Sequence, residues 1–110
     1  MRIRLAVAVV ALVGTGCAGG QGARGDGLDA SALPESVRAD YQIFAARCSK
    51  CHALARPLKS GIQSDKDWAL IVERMRRQPG SMISADDATR VLRFLHYYWR
   101  SERAQHESDY

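Results

Sequence analysis

Two cysteines and a histidine lie close together in the middle of this chain. The stretch "RCSKCHAL" places Cys48 and Cys51 three positions apart, with His52 directly after the second cysteine. Residues three apart share one side of a helical turn, so both thiols can reach two adjacent vinyl groups of one porphyrin. His52 then projects from the same turn as a ligand for the iron. The C-x-x-C-H pattern therefore predicts a covalent c-type haem, attached through Cys48 and Cys51 and bound at iron by His52.

A structural zinc site and a redox dithiol are the alternatives for the same residues. Structural zinc needs four ligands, and the remaining histidines, His96 and His106, do not form a finger-like pair. A thioredoxin-like dithiol follows a strand, whereas the residues before Cys48, "PESVRADYQIFAAR", have helical spacing. Haem attachment is therefore favoured, with the zinc site and the dithiol kept as alternatives.

The start of the chain is organised like a secretory signal. Two arginines precede an apolar run at residues 5–13, and small residues lead from this run to Cys17. The run is too short to span a bilayer. The segment resembles precursors of bacterial lipoproteins, which implies removal of residues 1–16 and acylation of Cys17, and acylation would also explain an otherwise unpaired thiol in an exported protein. An ordinary signal peptide cleaved nearby is the alternative.

Composition separates a tether from the folded part and limits the class of partner. Residues 18–33 contain five glycines and little apolar mass, so residues 17–33 are predicted to be a lipidated cysteine and a flexible tether.

The chain has 16 Lys and Arg against 12 Asp and Glu, for a net charge of +4. Its arginines are scattered and lack interleaved aromatic residues, which together with export argues against a nucleic-acid partner.

Apolar periodicity predicts three helices in residues 34–110 and no strand. They begin at Pro34, Ser64 and Ser84, where proline or a Ser-x-x-Asp capping pattern suits a helix N-terminus. The first ends at the haem motif, the second before Pro79, and the third frays near Arg103. The fold class is therefore all-α, with about three helices around one covalent haem that supplies apolar mass to a small core.

Over residues 35–100 the chain resembles short monohaem class I c-type cytochromes. The residues of the C-x-x-C-H motif carry most of this resemblance, and "DWALIVERMR" and "ISADDATRVLRFL" add to it. With the signal sequence, the resemblance implies a periplasmic one-electron carrier that meets redox partner proteins and is not an enzyme with a small-molecule substrate. In such cytochromes a loop proline often holds the iron-binding histidine through its carbonyl, a role that would fall here to Pro57.

Two methionines are candidates for the sixth ligand of the iron. Met75 lies nine residues before Ser84, which leaves enough chain to cross the haem, whereas Met82 lies two residues before it. A methionine thioether suits an electron carrier. The resemblance also implies the methionine of an Arg-Met pair, so Met75 is predicted, with Met82 as the alternative. A ligand from His96 or an open site is the remaining possibility. An open or displaceable site would suit the alternative function, a haem enzyme or gas-binding sensor.

Overall fold

The first long helix, α1, ends within the C-x-x-C-H motif. In this computed structural model, which describes residues 26–110, α1 spans Glu35–Cys48. Pro34 precedes it, where the fixed φ of the ring suits a helix start and the missing N–H costs no hydrogen bond. The predictions for the signal peptide at residues 1–16, for Cys17 and for the tether up to residue 25 lie outside the described residues.

Three further helices follow α1, and no strand occurs in residues 26–110. The predicted all-α fold and the three predicted helices are confirmed. Two short elements were not predicted: a single turn of 3-10 helix in the expected tether and the one-turn helix α2 in the expected loop. The 3-10 turn spans Ala30–Ala32 and α2 spans Ala55–Leu58. The two long helices that follow are α3 at Asp65–Arg76 and α4 at Ala85–Ser108.

Helix α4 is longer than the sequence pattern indicated. It continues to Ser108, past the predicted end at Arg103, because no glycine or proline interrupts the chain there. Arg103 also pairs with Glu107 one turn later, at 3.1 Å between nitrogen and oxygen. No helix within residues 26–110 is both long enough and apolar enough to cross a membrane.

Serine caps begin α3 and α4, as predicted. The Ser64 hydroxyl accepts a hydrogen bond from the N–H of Asp67 at 3.3 Å. At α4 the box is complete: the Ser84 hydroxyl accepts from the N–H of Asp87 at 3.0 Å, and the Asp87 carboxylate accepts from the N–H of Ser84 at 3.2 Å. The latter bond is the main reason that the pKa of Asp87 is lower than usual.

Residues 26–33, predicted to belong to the flexible tether, instead pack against α1. The Tyr41 hydroxyl accepts a hydrogen bond from the N–H of Leu28 at 2.7 Å and donates one to its carbonyl at 2.9 Å. Arg38 donates to two further carbonyls of the segment, at 3.0 and 3.2 Å. Because side chains of α1 satisfy these backbone groups, residues 26–33 belong to the folded part, which was predicted to begin at Pro34.

The core forms where α1 crosses α4, with α3 packed on α4 beside it. Phe44 and Phe94 meet there with ring centroids 4.6 Å apart, and both are 0% exposed. Tyr41 and Tyr98 extend this aromatic contact on either side of Phe94. The buried apolar residues are Tyr41, Phe44, Cys48, Leu54, Trp68, Val72, Val91, Phe94 and Leu95.

Two ion pairs join α1 to α4 beside the aromatic contact. Asp40 and Arg93 form a two-point pair with nitrogen–oxygen distances of 2.8 and 2.9 Å. Arg47 and Asp87 pair at 2.9 Å. Since Phe44 lies between Asp40 and Arg47 along α1, the two pairs fix the helix on both sides of its buried ring.

Replacing Phe94 by alanine should lower the free energy of unfolding by about 3–5 kcal/mol, because the cavity forms at the helix crossing. Urea denaturation followed by far-ultraviolet circular dichroism measures this change. Leu70→Ala is the matched control: Leu70 lies on α3 and is 61% exposed, so its loss should cost less than about 0.5 kcal/mol. Equal effects of the two substitutions would contradict the central place of the aromatic contact.

Candidate functional site

The C-x-x-C-H motif covers the C-terminal end of α1 and the turn that follows. Cys48 is the last residue of the helix and is 9% exposed, whereas Cys51 is exposed in the turn. His52 is half-buried at the end of the same turn. The regular helix ends at the first cysteine, so the two thiols, predicted to share one side of a helical turn, lie in different surroundings.

The surroundings of Cys48 do not favour the redox-dithiol alternative. Burial raises the pKa of the Cys48 thiol to about 11. The negative end of the α1 dipole also disfavours a thiolate at this place. Reactive dithiols have lowered thiol pKa values, often at helix N-termini. Cys48 and Cys51 do not form a disulfide, and Cys48 has the character of a structural thiol.

The His52 ring is oriented by a backbone carbonyl. Its Nδ1 lies 3.0 Å from the carbonyl oxygen of Ala53. Because a carbonyl only accepts hydrogen bonds, this contact requires a proton on Nδ1, and in the neutral ring the lone pair is then on Nε2. Histidines that bind metals through one ring nitrogen commonly donate the other N–H in this way.

The carbonyl of Pro57 does not have the role that the resemblance implied. It accepts a hydrogen bond from the Ser60 hydroxyl at 2.8 Å, while His52 bonds to Ala53. The physical reason is that Pro57 lies inside α2, where its carbonyl faces the end of that short helix and accepts from the residues that cap it. The sequence offered no signal for Ala53, since any residue provides a carbonyl.

The turn after the motif is held by residues distant in sequence. The N–H of Leu54 donates a hydrogen bond to the Asp26 carboxylate at 2.8 Å. The Tyr98 hydroxyl of α4 donates to the carbonyl of Leu58 at 3.1 Å. Leu54 is itself buried in the core. The backbone that carries His52 is therefore fixed by the N-terminal segment and by α4.

The two candidate methionines lie at the end of α3 and in the connection to α4. Met75 is half-buried in the last turn of α3, on the same face as the buried Trp68 and Val72. Met82 is 70% exposed and has a φ of +54°. That left-handed conformation costs a non-glycine residue about 1–3 kcal/mol, and such strain is often found at functional sites.

The described residues give no support to a zinc site. Within residues 26–110 no three His, Cys, Asp or Glu side chains are placed so that they could hold one metal ion. His96 was a candidate for the sixth iron ligand as well as a histidine considered for zinc. Its Nδ1 lies 2.8 Å from a carboxylate oxygen of Asp65. This contact is the largest cause of the lowered pKa of Asp65.

A cavity of about 600 Å³ lies away from the motif, between α1, α3 and α4. Val37, Trp68 and Leu92 form its apolar part, and Asp40 with Arg93 lies along it. Neither the motif residues nor the two methionines line this cavity. The motif at the end of α1 is therefore separate from the cavity between the helices.

The burial of Cys48 predicts slow reaction of its thiol. With a pKa of about 11, about one thiol in a thousand is ionised at pH 8. In haem-free protein carrying Cys17→Ser and Cys51→Ser, alkylation of Cys48 should be at least about a hundredfold slower than after unfolding in urea. Protein carrying Cys17→Ser and Cys48→Ser should alkylate at Cys51 with little effect of urea. Similar rates for both folded proteins would contradict the burial of Cys48.

Comparison of the chain with protein-family models, with curated proteins and with solved structures found no match. Its function therefore has to be inferred from the C-x-x-C-H motif and from the contacts that position it.

Proposed function

We propose that this protein is an exported monohaem c-type cytochrome that carries single electrons between redox partner proteins. The observation that supports it best is the orientation of His52. Within a C-x-x-C-H motif, its Nδ1 lies within hydrogen-bond distance of the Ala53 carbonyl, which in the neutral ring puts the proton on Nδ1 and the lone pair on Nε2. That is the state in which an imidazole binds iron.

The motif residues have the chemistry that a covalent haem requires. Cys48 and Cys51 would form the two thioethers, His52 would bind the iron on one side, and Met75 would bind it on the other, with Met82 as the alternative. When bound, the haem supplies reversible one-electron exchange at its iron. The chain contributes orientation of His52 and an apolar neighbourhood at the buried Cys48 and Leu54.

Proteins that exchange electrons usually meet through small, short-lived interfaces. Arg74, Arg76 and Arg77 are exposed at the end of α3, close in sequence to both candidate methionines. Arg76 and Arg77 pair with Glu73 at 3.4 and 3.0 Å, which leaves Arg74 outside this ion-pair group. We propose that the partners are redox proteins at the periplasmic face of a membrane, because the start of the chain resembles a lipoprotein signal with Cys17 as the acylated residue.

Covalent haem attachment is the experiment that decides the proposal. After denaturation, electrophoresis and staining for haem peroxidase activity, the wild-type band should stain. Cys48→Ser or Cys51→Ser should weaken the stain, and the double substitution should abolish it, because the thioethers are then gone. Cys17→Ser is the matched control. It should stain like the wild type, but it should no longer sediment with the membrane fraction. A wild-type protein without covalent haem would disprove the cytochrome function.

Replacement of the two methionines separates an electron carrier from a gas-binding haem protein. Met75→Ala should open the sixth position, so reduced protein gains carbon monoxide binding and the oxidised spectrum loses its weak sulfur-to-iron band at long wavelength. Met82→Ala should keep that band and bind no carbon monoxide. The reverse pattern would assign the ligand to Met82. Carbon monoxide binding by the wild type would favour the haem enzyme or sensor.

A further inference from the structure

One peptide group links the His52 ring to a carboxylate of the N-terminal segment. The N–H of Leu54 donates to an oxygen of Asp26 at 2.8 Å. The carbonyl of the same peptide group, that of Ala53, lies 3.0 Å from Nδ1 of His52 and accepts a hydrogen bond from it. The result is a continuous chain of two hydrogen bonds from the Asp26 carboxylate to the imidazole.

The position of Asp26 is set by close packing of the next residues. The Tyr41 hydroxyl bonds to both backbone groups of Leu28, at 2.7 and 2.9 Å. A Cβ atom at Gly27 would lie 2.7 Å from the Tyr41 hydroxyl and 3.2 Å from a methyl carbon of Leu54. Only glycine allows this approach, so the segment fits against α1 and Leu54 in one way and delivers Asp26 to the N–H of Leu54.

A carboxylate at the N–H of a peptide group strengthens the carbonyl of that group as an acceptor. Hydrogen bonds in a chain polarise one another, and those to an ionised acceptor are stronger than neutral ones. A stronger acceptor at Nδ1 makes the imidazole a more basic ligand through its other nitrogen. Asp26 therefore affects the ring that it does not touch.

We propose that Asp26 is a positioning residue for His52, acting through the Ala53–Leu54 peptide group to orient the imidazole and to strengthen Nε2 as a ligand. The effect on iron rests on the proposed function, whereas the hydrogen-bond chain does not. A more basic ligand stabilises oxidised iron over reduced iron, so Asp26 lowers the reduction potential of the haem.

The first test is the reduction potential of the haem-loaded full chain, measured by spectroelectrochemical titration. Asp26→Asn keeps the size of the side chain and removes its charge, and it should raise the potential. We expect a change in the equilibrium constant of up to about tenfold, equal to about 59 mV for one electron. Asp29→Asn is the matched control: Asp29 is in the same segment and, among the described residues, its carboxylate accepts hydrogen bonds from Ser31 and not from the peptide group behind His52, so its loss should leave the potential unchanged.

The second test observes the hydrogen bond itself. In the ¹⁵N-labelled reduced protein, the Nδ1–H resonance of His52 should move upfield in Asp26→Asn, because the Ala53 carbonyl becomes a weaker acceptor. Gly27→Ala should cause the same upfield shift without removing a charge, because it displaces Asp26. Circular dichroism of each variant checks that the helices persist.

Each outcome bears on the proposal. An unchanged Nδ1–H resonance in Asp26→Asn would overturn it, even if the potential rose, since the charge would then act only through space. An unchanged potential with a shifted resonance would overturn the effect on iron. If the chain carries no haem, the proposed function fails, and the ¹⁵N shifts of His52 in the haem-free chain still show whether Nδ1 holds the proton and responds to Asp26→Asn.

Discussion

The packing of Phe44 against Phe94 is the contact on which the placement of the other features depends. Both rings are fully buried where α1 crosses α4. One turn after Phe44, α1 ends at Cys48; one turn before it, Tyr41 holds the N-terminal segment through two hydrogen bonds. The crossing therefore fixes both the start of the C-x-x-C-H motif and the position of the segment that reaches the turn behind it.

Polar contacts then place the motif within this apolar frame. The backbone after His52 is bonded to Asp26 at Leu54 and to Tyr98 at Leu58. A single hydrogen bond adds only about 0.5–1.5 kcal/mol to stability, so these contacts contribute less to holding the fold together than the burial of the aromatic rings. Their main effect is geometric, because they restrict the peptide group that holds the His52 ring.

Much of the fold could be predicted from the sequence, because local rules determine it. Apolar spacing and the serine at position 84 located the helices, since both signals act within one or two turns. The ordered segment at residues 26–33 could not be predicted, because its glycine-rich composition indicates a tether and its partners lie on α1. The same limit applies to the candidate site: the motif pointed to His52, but the contact of its ring with the Ala53 carbonyl and the bond of Leu54 to Asp26 are backbone and tertiary contacts that leave no residue pattern.

The burial of Cys48 implies an order of events in the maturation of the protein. Cys48 belongs to the buried core at the C-terminal end of α1, and burial raises the pKa of its thiol to about 11. On the proposed function, the thioether at Cys48 would have to form before this part of the core closes, whereas Cys51 is exposed in the folded protein. A chain that folded before such attachment would lose access to Cys48, so the rate at which the core folds would limit the time available for the proposed attachment.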